Sequence, residues 1–453
     1  MRRRAKATTA LLLPLLVATA LFRSKKKKYT PPRCKLETYD AETTTHLDLK
    51  KCNLNMLDPA INKFHNLNKL DLAHNHLRDL PQLPPFVEIL FLLGNRFQEI
   101  PDAVVALPRL RMLSFKSNQL EAVRADLPTS IEWLILTNNM LSSLPPEIGH
   151  LTRMRKLMLS NNQIETLPLE MRRMQKLELV RLANNKIREL PTWLLQHRRI
   201  AWIALASNPA ILPPPHRPSY KHAKLEDYDL VERLGEGTSS VVYHVRRQED
   251  GSKFALKAYK EKQSSDGLNI DEVKIAASLD NDHILKLVGY FEEPYLGSVL
   301  EWSDGWSSLG KPPSLESVTR DTYDRGAGFT AKYVSNVACG VSAALAHAHS
   351  RGIMHGDMYA HNILVQPGVG TAKLSDWGAA FHYGVGSKDA IHFERMEMRA
   401  FAILLDELLQ RVPSSETNAL LGVIRQVSTQ GQDDPELRPS FSKVAKLLES
   451  GCL

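Results

Sequence analysis

Cysteine is scarce in this 453-residue chain, and its scarcity argues against several classes of protein. The four cysteines form no C-x-x-C pair and no regular spacing: Cys34, Cys52, Cys339 and Cys452. A disulfide framework and a zinc site are therefore disfavoured, and reduced thiols in a cytoplasmic setting are expected. The composition, 43% hydrophobic and 24% charged, is neither disordered nor collagen-like and suits two or three globular domains.

Acidic residues are absent from the first 35 positions, which hold eleven lysines and arginines. The formal net charge of +8 divides into +11 on residues 1–35, +4 on residues 36–217 and −7 on residues 218–453. The basic character belongs to a leader and not to a folded domain. We therefore expect no nucleic-acid partner, although the leader itself suits an anionic membrane face.

An apolar run long enough to span a bilayer is also missing. The uncharged part of the leader, Ala7 to Phe22, has sixteen residues, and as a helix it would reach roughly 24 Å of a hydrocarbon core about 30 Å thick. Three interpretations of residues 1–35 stay open: a disordered targeting peptide, a short membrane anchor, or a secretory signal cleaved near Ala18-Thr19-Ala20. No spanning run lies between residues 212 and 228 either, which disfavours a receptor with its halves on opposite sides of a membrane.

A repeat occupies residues 36–212. The pattern L-x-L-x-x-N-x-L recurs, for example from Leu70 to Leu77 and from Leu134 to Leu141. Its asparagine column, at intervals of 20 to 23 residues, runs Cys52, Asn75, Asn95, Asn118, Asn139, Asn162, Asn185, Asn208. The pattern resembles leucine-rich repeats, which implies an α/β solenoid. Stacked leucines would form its core, and the asparagine amides would bind backbone groups of the turns.

A solenoid of this kind has no cofactor pocket, so its predicted function is recognition. The exposed strand positions place Phe91, Leu93, Ile135 and Met158 on the inner face. With Trp133 and Trp202 nearby, they form an apolar patch. Such a patch predicts a protein partner on this concave face, or contact with the adjoining domain of the same chain. Ordinary surface hydrophobes are the alternative.

Three consecutive prolines, Pro213 to Pro215, open a predicted linker over residues 213–227, and a different pattern begins at residue 228. A glycine-containing loop and its flanks come first: Leu234, Gly235, Glu236, Gly237, Ser240 and Val242. Ala255 and Lys257 follow on a predicted strand. Glu272 lies in a stretch of helical periodicity and is the expected ion-pair partner of Lys257. Glycines allow backbone amides to approach phosphates, and the lysine supplies positive charge.

Two further motifs complete the pattern: Asp357 followed by Asn362, and Asp376-Trp377-Gly378. Together they resemble a eukaryotic-type protein kinase domain over residues 228–453. The resemblance implies a two-lobed α+β fold that uses ATP and Mg²⁺. Asn362 and Asp376 would hold the metal, Asp357 would receive the substrate's hydroxyl proton, and Lys257 with Glu272 would bind the outer phosphates. The loop residues, Ala255, Leu300 and Glu301 would surround the nucleotide, with Leu300 at the gatekeeper position.

Several positions depart from the usual kinase pattern. Tyr359 stands where Ser/Thr-directed relatives carry lysine, and Gly356 stands where many relatives carry the arginine that docks a phosphorylated activation loop. The A-P-E motif is missing, and Glu394 is expected to replace its acid by pairing with Arg438. The next long helix is expected to start at Glu397. We therefore predict an activity that does not depend on loop phosphorylation.

The resulting interpretation is a protein kinase that transfers the γ-phosphoryl group of ATP to protein Ser/Thr hydroxyls, with the repeats as a recognition domain. It would be cytoplasmic, with membrane association through the leader. The alternative is a weakly active or inactive kinase-like scaffold whose main role is partner binding by the repeats.

Overall fold

The computed structural model describes residues 34–215, 222–416 and 419–449. They fall into two compact units. The first comprises the described residues up to Ile211 together with Pro313–Arg320, and the second comprises the others. The hypotheses about the leader concern residues that lie almost wholly outside this part of the chain. Among the residues that the structure describes, no helix has both the length and the apolar character needed to cross a bilayer.

The first unit is built on a parallel sheet of eight short strands in sequential order. Their bounds are β1 (His46–Asp48), β2 (Lys69–Asp71), β3 (Ile89–Phe91), β4 (Met112–Ser114), β5 (Trp133–Ile135), β6 (Lys156–Met158), β7 (Leu179–Arg181) and β8 (Trp202–Ala204). Each central residue aligns with that of the next repeat, as Leu47 with Leu70 and Leu70 with Leu90. These leucines are buried, so the predicted solenoid is confirmed.

Short helical turns connect the strands. They are the helices α1 (Asp102–Val105) and α2 (Thr192–Leu195) and the 3₁₀ helices Pro59–Lys63, Pro146–His150 and Leu169–Arg173. A proline stands immediately before four of them, at Pro101, Pro145, Pro168 and Pro191. Proline lacks an N–H group and has a fixed φ, which suits the entry to a helical turn. A proline thus marks the start of four of these five helical turns.

The asparagine column satisfies the backbone of the turns, as predicted. The Asn139 amide nitrogen donates to the carbonyls of Phe115 at 3.0 Å and Leu136 at 2.9 Å. Its amide oxygen accepts from the Leu120 N–H at 3.0 Å. The same pattern recurs at Asn75, Asn95, Asn118, Asn162, Asn185 and, for its amide nitrogen and oxygen, Asn208. Because these backbone groups are buried, each asparagine supplies partners that water cannot.

The prediction of reduced thiols is wrong. Cys34 and Cys52 form a disulfide with a Cα–Cα distance of 5.5 Å, and no cysteine of the described residues is free. The disulfide joins the segment before β1 to the turn after it, where Cys52 occupies the position that asparagine holds in later repeats. The thiol argument for a cytoplasmic setting is therefore lost, because disulfides persist mainly in oxidising compartments.

The N-terminal lobe of the second unit contains an antiparallel sheet of five strands: β9 (Tyr228–Glu236), β10 (Ser240–Arg247), β11 (Lys253–Tyr259), β12 (Leu287–Phe291) and β13 (Gly297–Glu301). Their order in the sheet is β12-β13-β11-β10-β9. Helix α3 (Asn269–Ser278) lies between β11 and β12 in the chain. Leu225, which the sequence assigned to the linker, is buried in the core of this lobe.

The C-terminal lobe is mainly helical, with α4 (Ala331–Ser350), α5 (Ala390–Leu409), α6 (Ala419–Gln432) and α7 (Phe441–Glu449). Short strands pair within it: β14 (Ser307–Ser308), β16 (Ile363–Val365) and β17 (Ala372–Leu374) form one sheet, and β15 (Ile353–Met354) and β18 (Phe381–His382) form another. Helix α5 begins seven residues before Glu397, its predicted start. The segment between Asp376 and α5 is therefore shorter than expected. The two-lobed α+β fold is confirmed.

Candidate active site

A cleft of about 630 Å³ opens beside strands β9 to β11 and β13. Nine of the ten predicted nucleotide-binding residues line it: Leu234, Gly235, Gly237, Ser240, Val242, Ala255, Lys257, Leu300 and Glu301. Glu236 does not, because its carboxylate pairs with Lys260, with 2.7 Å between Nζ and Oε1, and with Arg233. The Glu236 side chain is thus engaged elsewhere, whereas its glycine neighbours line the cleft with their backbone atoms.

Lys257 lies between two carboxylates at the inner end of the cleft. Its Nζ is 2.6 Å from Oε1 of Glu272, on α3, and 3.3 Å from Oδ1 of Asp376. Burial by itself would lower the pKa of Lys257, but the charges of Asp376 and Glu272 raise it well above its usual value. The Lys257 ammonium in turn lowers the pKa of Asp376, whereas burial raises the pKa of Glu272. The lysine is thus held as a fixed cation.

The opposite side of the site is a loop between β15 and β16. The Asn362 side-chain nitrogen donates to the Asp357 carbonyl at 2.9 Å and to its carboxylate Oδ2 at 3.1 Å. This arrangement orients the Asp357 carboxylate and leaves the Asn362 amide oxygen as the atom suited to a hard cation. Together with the Asp376 carboxylate, it is a donor set that fits Mg²⁺.

Glu397 stabilises this loop by hydrogen bonds, a role that the sequence did not suggest. Its carboxylate accepts from the backbone N–H groups of Gly356 at 2.7 Å and His355 at 3.0 Å, and from the His349 ring at 2.9 Å. The His355 ring in turn lies 3.0 Å from the carbonyl of Ser375, the residue before Asp376. Burial opposes the charge on Glu397, but the hydrogen bond with His349 lowers its pKa overall. An ionised, buried acceptor thus connects the two acidic motifs.

Tyr383 extends the same network into the segment that follows Asp376. Its hydroxyl lies 2.8 Å from Nδ1 of His349, and its backbone N–H donates to the Gly352 carbonyl at 2.8 Å. Sequence reasoning missed this tyrosine because its partner lies 34 residues away. An isolated tyrosine in the sequence does not indicate such a distant partner.

Glu394 and Arg438, which the sequence predicts to pair, both contact the backbone of the C-terminal lobe. Glu394 accepts from the Phe441 N–H at 2.8 Å, at the start of α7. The Arg438 guanidinium donates to the carbonyls of Asp433 at 3.1 Å and Arg395 at 3.0 Å. Both side chains therefore fasten the end of the C-terminal lobe.

His361, next to Asn362, is held by Asp321. The Asp321 carboxylate accepts from the His361 backbone N–H at 2.8 Å and lies 2.9 Å from Nδ1 of its ring. Burial would lower the pKa of His361, but the hydrogen bond and charge of Asp321 raise it. The ring of Tyr359 stacks on His361 with 5.1 Å between centroids. Tyr359, which replaces the usual lysine, is therefore part of a packed aromatic pair.

Two tryptophans complete the outer part of the cleft, Trp302 and Trp306. Trp302 stacks on His244 of β10 with 4.1 Å between ring centroids. Glu301 pairs with Lys373 of β17, with 2.6 Å between Oε1 and Nζ. The sequence drew attention to Leu300 and Glu301 but not to a role of these tryptophans. Their positions, directly after Glu301 and five residues after it, were the available signal.

Comparison with known proteins agrees with this geometry. Residues 228–400 match the family model of the protein kinase domain. A serine/threonine-protein kinase of Schizosaccharomyces pombe, crk1, is 29% identical over 164 residues, which are 35% of this chain and 45% of the relative. The α subunit of the CTD kinase of the same organism is 30% identical over 42% of this chain and 30% of its own length. The second unit therefore contains a protein kinase domain related to Ser/Thr kinases.

The dual specificity testis-specific protein kinase 1 of Rattus norvegicus is 26% identical over 42% of this chain. The chain spans between 30% and 45% of the length of these three relatives. A leucine-rich-repeat protein of Leptospira interrogans is 28% identical over 36% of this chain and 49% of its own, with a TM-score of 0.32. That score is too low to support an inference. The chain thus combines a leucine-rich-repeat solenoid, defined by its own sheet, with a protein kinase domain.

Proposed function

We propose that this protein is an active kinase that transfers the γ-phosphoryl group of ATP to Ser/Thr hydroxyls of a protein substrate. The observation that carries the proposal is the position of Lys257, 2.6 Å from Glu272 and 3.3 Å from Asp376. Phosphoryl transfer depends on positioned charge more than on covalent chemistry. A buried lysine fixed between two acids is the arrangement that this reaction requires.

The roles of the side chains follow from their contacts. Lys257 binds phosphate oxygens, and Glu272 keeps its ammonium group at that position. Asp357, oriented by Asn362, receives the proton of the substrate hydroxyl. Asn362 and Asp376 would hold Mg²⁺, which would neutralise negative charge on the phosphates. Glu397 positions the Asp357 loop through the backbone of residues 355 and 356.

A phosphate-transfer assay tests the proposal. Full-length protein, radiolabelled ATP and Mg²⁺ are incubated with a mixture of protein substrates, and phosphoserine, phosphothreonine and phosphotyrosine are separated. We expect phosphoserine or phosphothreonine, and at least a hundredfold loss in Asp357→Asn, because positioned proton transfer contributes about 10²- to 10⁴-fold. Equal labelling by the wild type and Asp357→Asn would contradict the proposal.

The scaffold alternative makes a different prediction in the same experiment. A scaffold would bind nucleotide or partners but transfer no phosphate. For the repeats, we propose a protein partner on the concave face, where Phe91, Leu93, Ile135 and Met158 are only partly buried. Ile135→Lys with Met158→Lys should weaken partner capture. A cytoplasmic location remains a proposal that rests on the need for ATP alone.

A further inference from the structure

Acidic and basic side chains alternate down one edge of the solenoid and form a ladder. Glu88, Arg111, Glu132, Arg155 and Glu178 occupy the same position in successive repeats, two residues N-terminal to the central strand residue. Arg111 lies 3.6 Å from Glu88 and 3.2 Å from Glu132, and Arg155 lies 3.0 Å from Glu178. The carboxylate of Glu178 is only 5% exposed, compared with 23% for Glu132. The last acid of this ladder is therefore in a distinct environment.

The additional contacts of Glu178 come from Pro313–Arg320, which belongs to the same compact unit as the repeats although it follows β14 in the chain. Arg320 Nη2 lies 2.8 Å from Oε1 of Glu178, and the Thr319 hydroxyl donates to Oε2. Arg155 donates to the Thr319 hydroxyl at 2.7 Å. A hydroxyl and a guanidinium from one segment thus share one carboxylate.

Burial and a cation–π contact accompany these hydrogen bonds. Thr319 and Val318 are buried, and the guanidinium of Arg320 lies over the ring of Trp202 at 5.5 Å from its centroid. Burial opposes the charge on Glu178, but Arg320 lowers its pKa overall. A buried, charge-assisted hydrogen bond of this kind is stronger than an exposed ion pair. The contact is therefore a specific binding site for a Thr-Arg segment.

The residue that follows this segment is Asp321, whose carboxylate holds His361 through both its backbone N–H and its ring. The Asp321 side chain is fully enclosed. His361 immediately precedes Asn362, which orients Asp357. Adjacent residues of one short segment thus bind Glu178 of the repeats and the loop that carries the proposed catalytic groups.

We propose that Glu178 is a positioning residue. Thr319 and Arg320 act as an internal ligand that Glu178 of the repeats binds. This contact holds the neighbouring Asp321 against the catalytic loop. The ligand class is an arginine-containing segment preceded by threonine, supplied by this chain. When the anchor is removed, the backbone next to Asp321 gains freedom, and the loop of residues 355–362 is held less firmly. For catalysis the inference rests on the proposed function, but the loop can be observed without it.

Hydrogen–deuterium exchange on the full chain tests the inference without any assay of activity. The variants are Glu178→Gln, Arg320→Gln and both together, with Glu132→Gln as the matched control from the same ladder. We expect each single variant to speed exchange in residues 313–321 and 355–362 by about tenfold, because a hydrogen bond to a charged group is lost. The double variant should resemble the singles, because both changes remove one shared contact. Glu132→Gln should match the wild type.

Two results would overturn the inference. Faster exchange in residues 313–321 with unchanged exchange in residues 355–362 would show that the anchor does not position the loop. Additive effects in the double variant would show that Glu178 and Arg320 act separately. Arg320→Gln lies outside the repeats and keeps the test valid even if Glu178→Gln disrupts the solenoid. An inactive wild type would contradict the proposed function but leave this result interpretable.

Discussion

The repeats and the kinase domain satisfy their buried polar groups in different ways. In the repeats, each asparagine binds the backbone of its own turn and of the neighbouring repeat, within about one repeat length. In the kinase domain, the decisive contacts join distant parts of the chain: Lys257 meets Asp376 across 119 residues, and Gly356 meets Glu397 across 41. A periodic fold is therefore specified locally, whereas the candidate active site depends on the whole domain being assembled.

The largest effect is expected when the long-range contacts of Lys257 in the kinase domain are removed. Lys257→Met removes the cation shared by Glu272 and Asp376, so phosphates lose their ligand and two acids face each other. We expect kcat/KM to fall by roughly 100-fold or more, since misplacement of reacting groups has effects of this order. Steady-state phosphorylation of a protein substrate measures it. Lys286→Met, which removes a cation from an exposed pair with Asp280, should stay within about twofold of the wild type.

This contrast also explains what the sequence could predict. The eight strands and their asparagines were predictable because one period of 20 to 23 residues recurs with the same hydrogen bonds. Lys257, Glu272, Asp357, Asn362 and Asp376 were recognisable as a set because their residue types and order are distinctive. Glu397, His349 and Tyr383 were not, because an isolated acid, imidazole or phenol gives no sign of which partner the fold brings to it.

The Cys34–Cys52 disulfide was missed for a related reason. Its two cysteines lack a diagnostic spacing, and their proximity depends on how the chain enters the first repeat. The segment Pro313–Arg320 is a similar case, since it lies between strands β14 and β15 in sequence but belongs to the unit that contains the repeats. In hindsight, the alternating Glu and Arg ladder that ends at Glu178 was a periodic signal of that site.

The next largest effect is expected when short-range hydrogen bonds of the repeats are removed. Asn139→Ala leaves two buried carbonyls and one N–H without their side-chain partner. We expect the free energy of unfolding of the repeats to fall by about 3 kcal/mol, because unsatisfied buried groups bear their full desolvation cost. Urea unfolding monitored by circular dichroism measures it. Glu121→Ala, at an exposed residue directly after Leu120, should change it by less than about 0.5 kcal/mol. Equal effects of the two variants would contradict the role of the asparagine column.

A smaller effect is expected where the shortened activation segment meets the catalytic loop. Tyr383→Phe removes the hydroxyl that lies 2.8 Å from His349 and keeps the buried ring. We expect kcat to fall about fivefold, corresponding to about 1 kcal/mol for one hydrogen bond, with KM for ATP unchanged. Tyr290→Phe, which removes a hydroxyl from an exposed contact with His222 at 3.4 Å, is the matched control and should have no effect.

The same network bears on the predicted independence from loop phosphorylation. If Tyr383, His349 and Glu397 fix the loop without a phosphate, then phosphatase treatment of the purified kinase should leave its activity within about twofold. A large loss of activity after dephosphorylation would show that a modified residue, and not this network, holds the segment in place.

The smallest effect concerns the pH dependence of the Glu178 site. Since Arg320 lowers the pKa of Glu178 when the segment is bound, the carboxylate stays ionised below the usual pKa of a glutamate. The stabilisation is therefore fully present at neutral pH and is lost as the pH falls through this lowered pKa. Exchange in residues 313–320, corrected for the intrinsic effect of pH, should stay constant from pH 7 to about 5 and rise at lower pH. In Glu178→Gln this rise should be absent, because the group that titrates against Arg155 and Arg320 is gone. An identical rise in the variant would assign the acid sensitivity to another carboxylate. It would also show that the stability of this contact does not depend on the charge of Glu178.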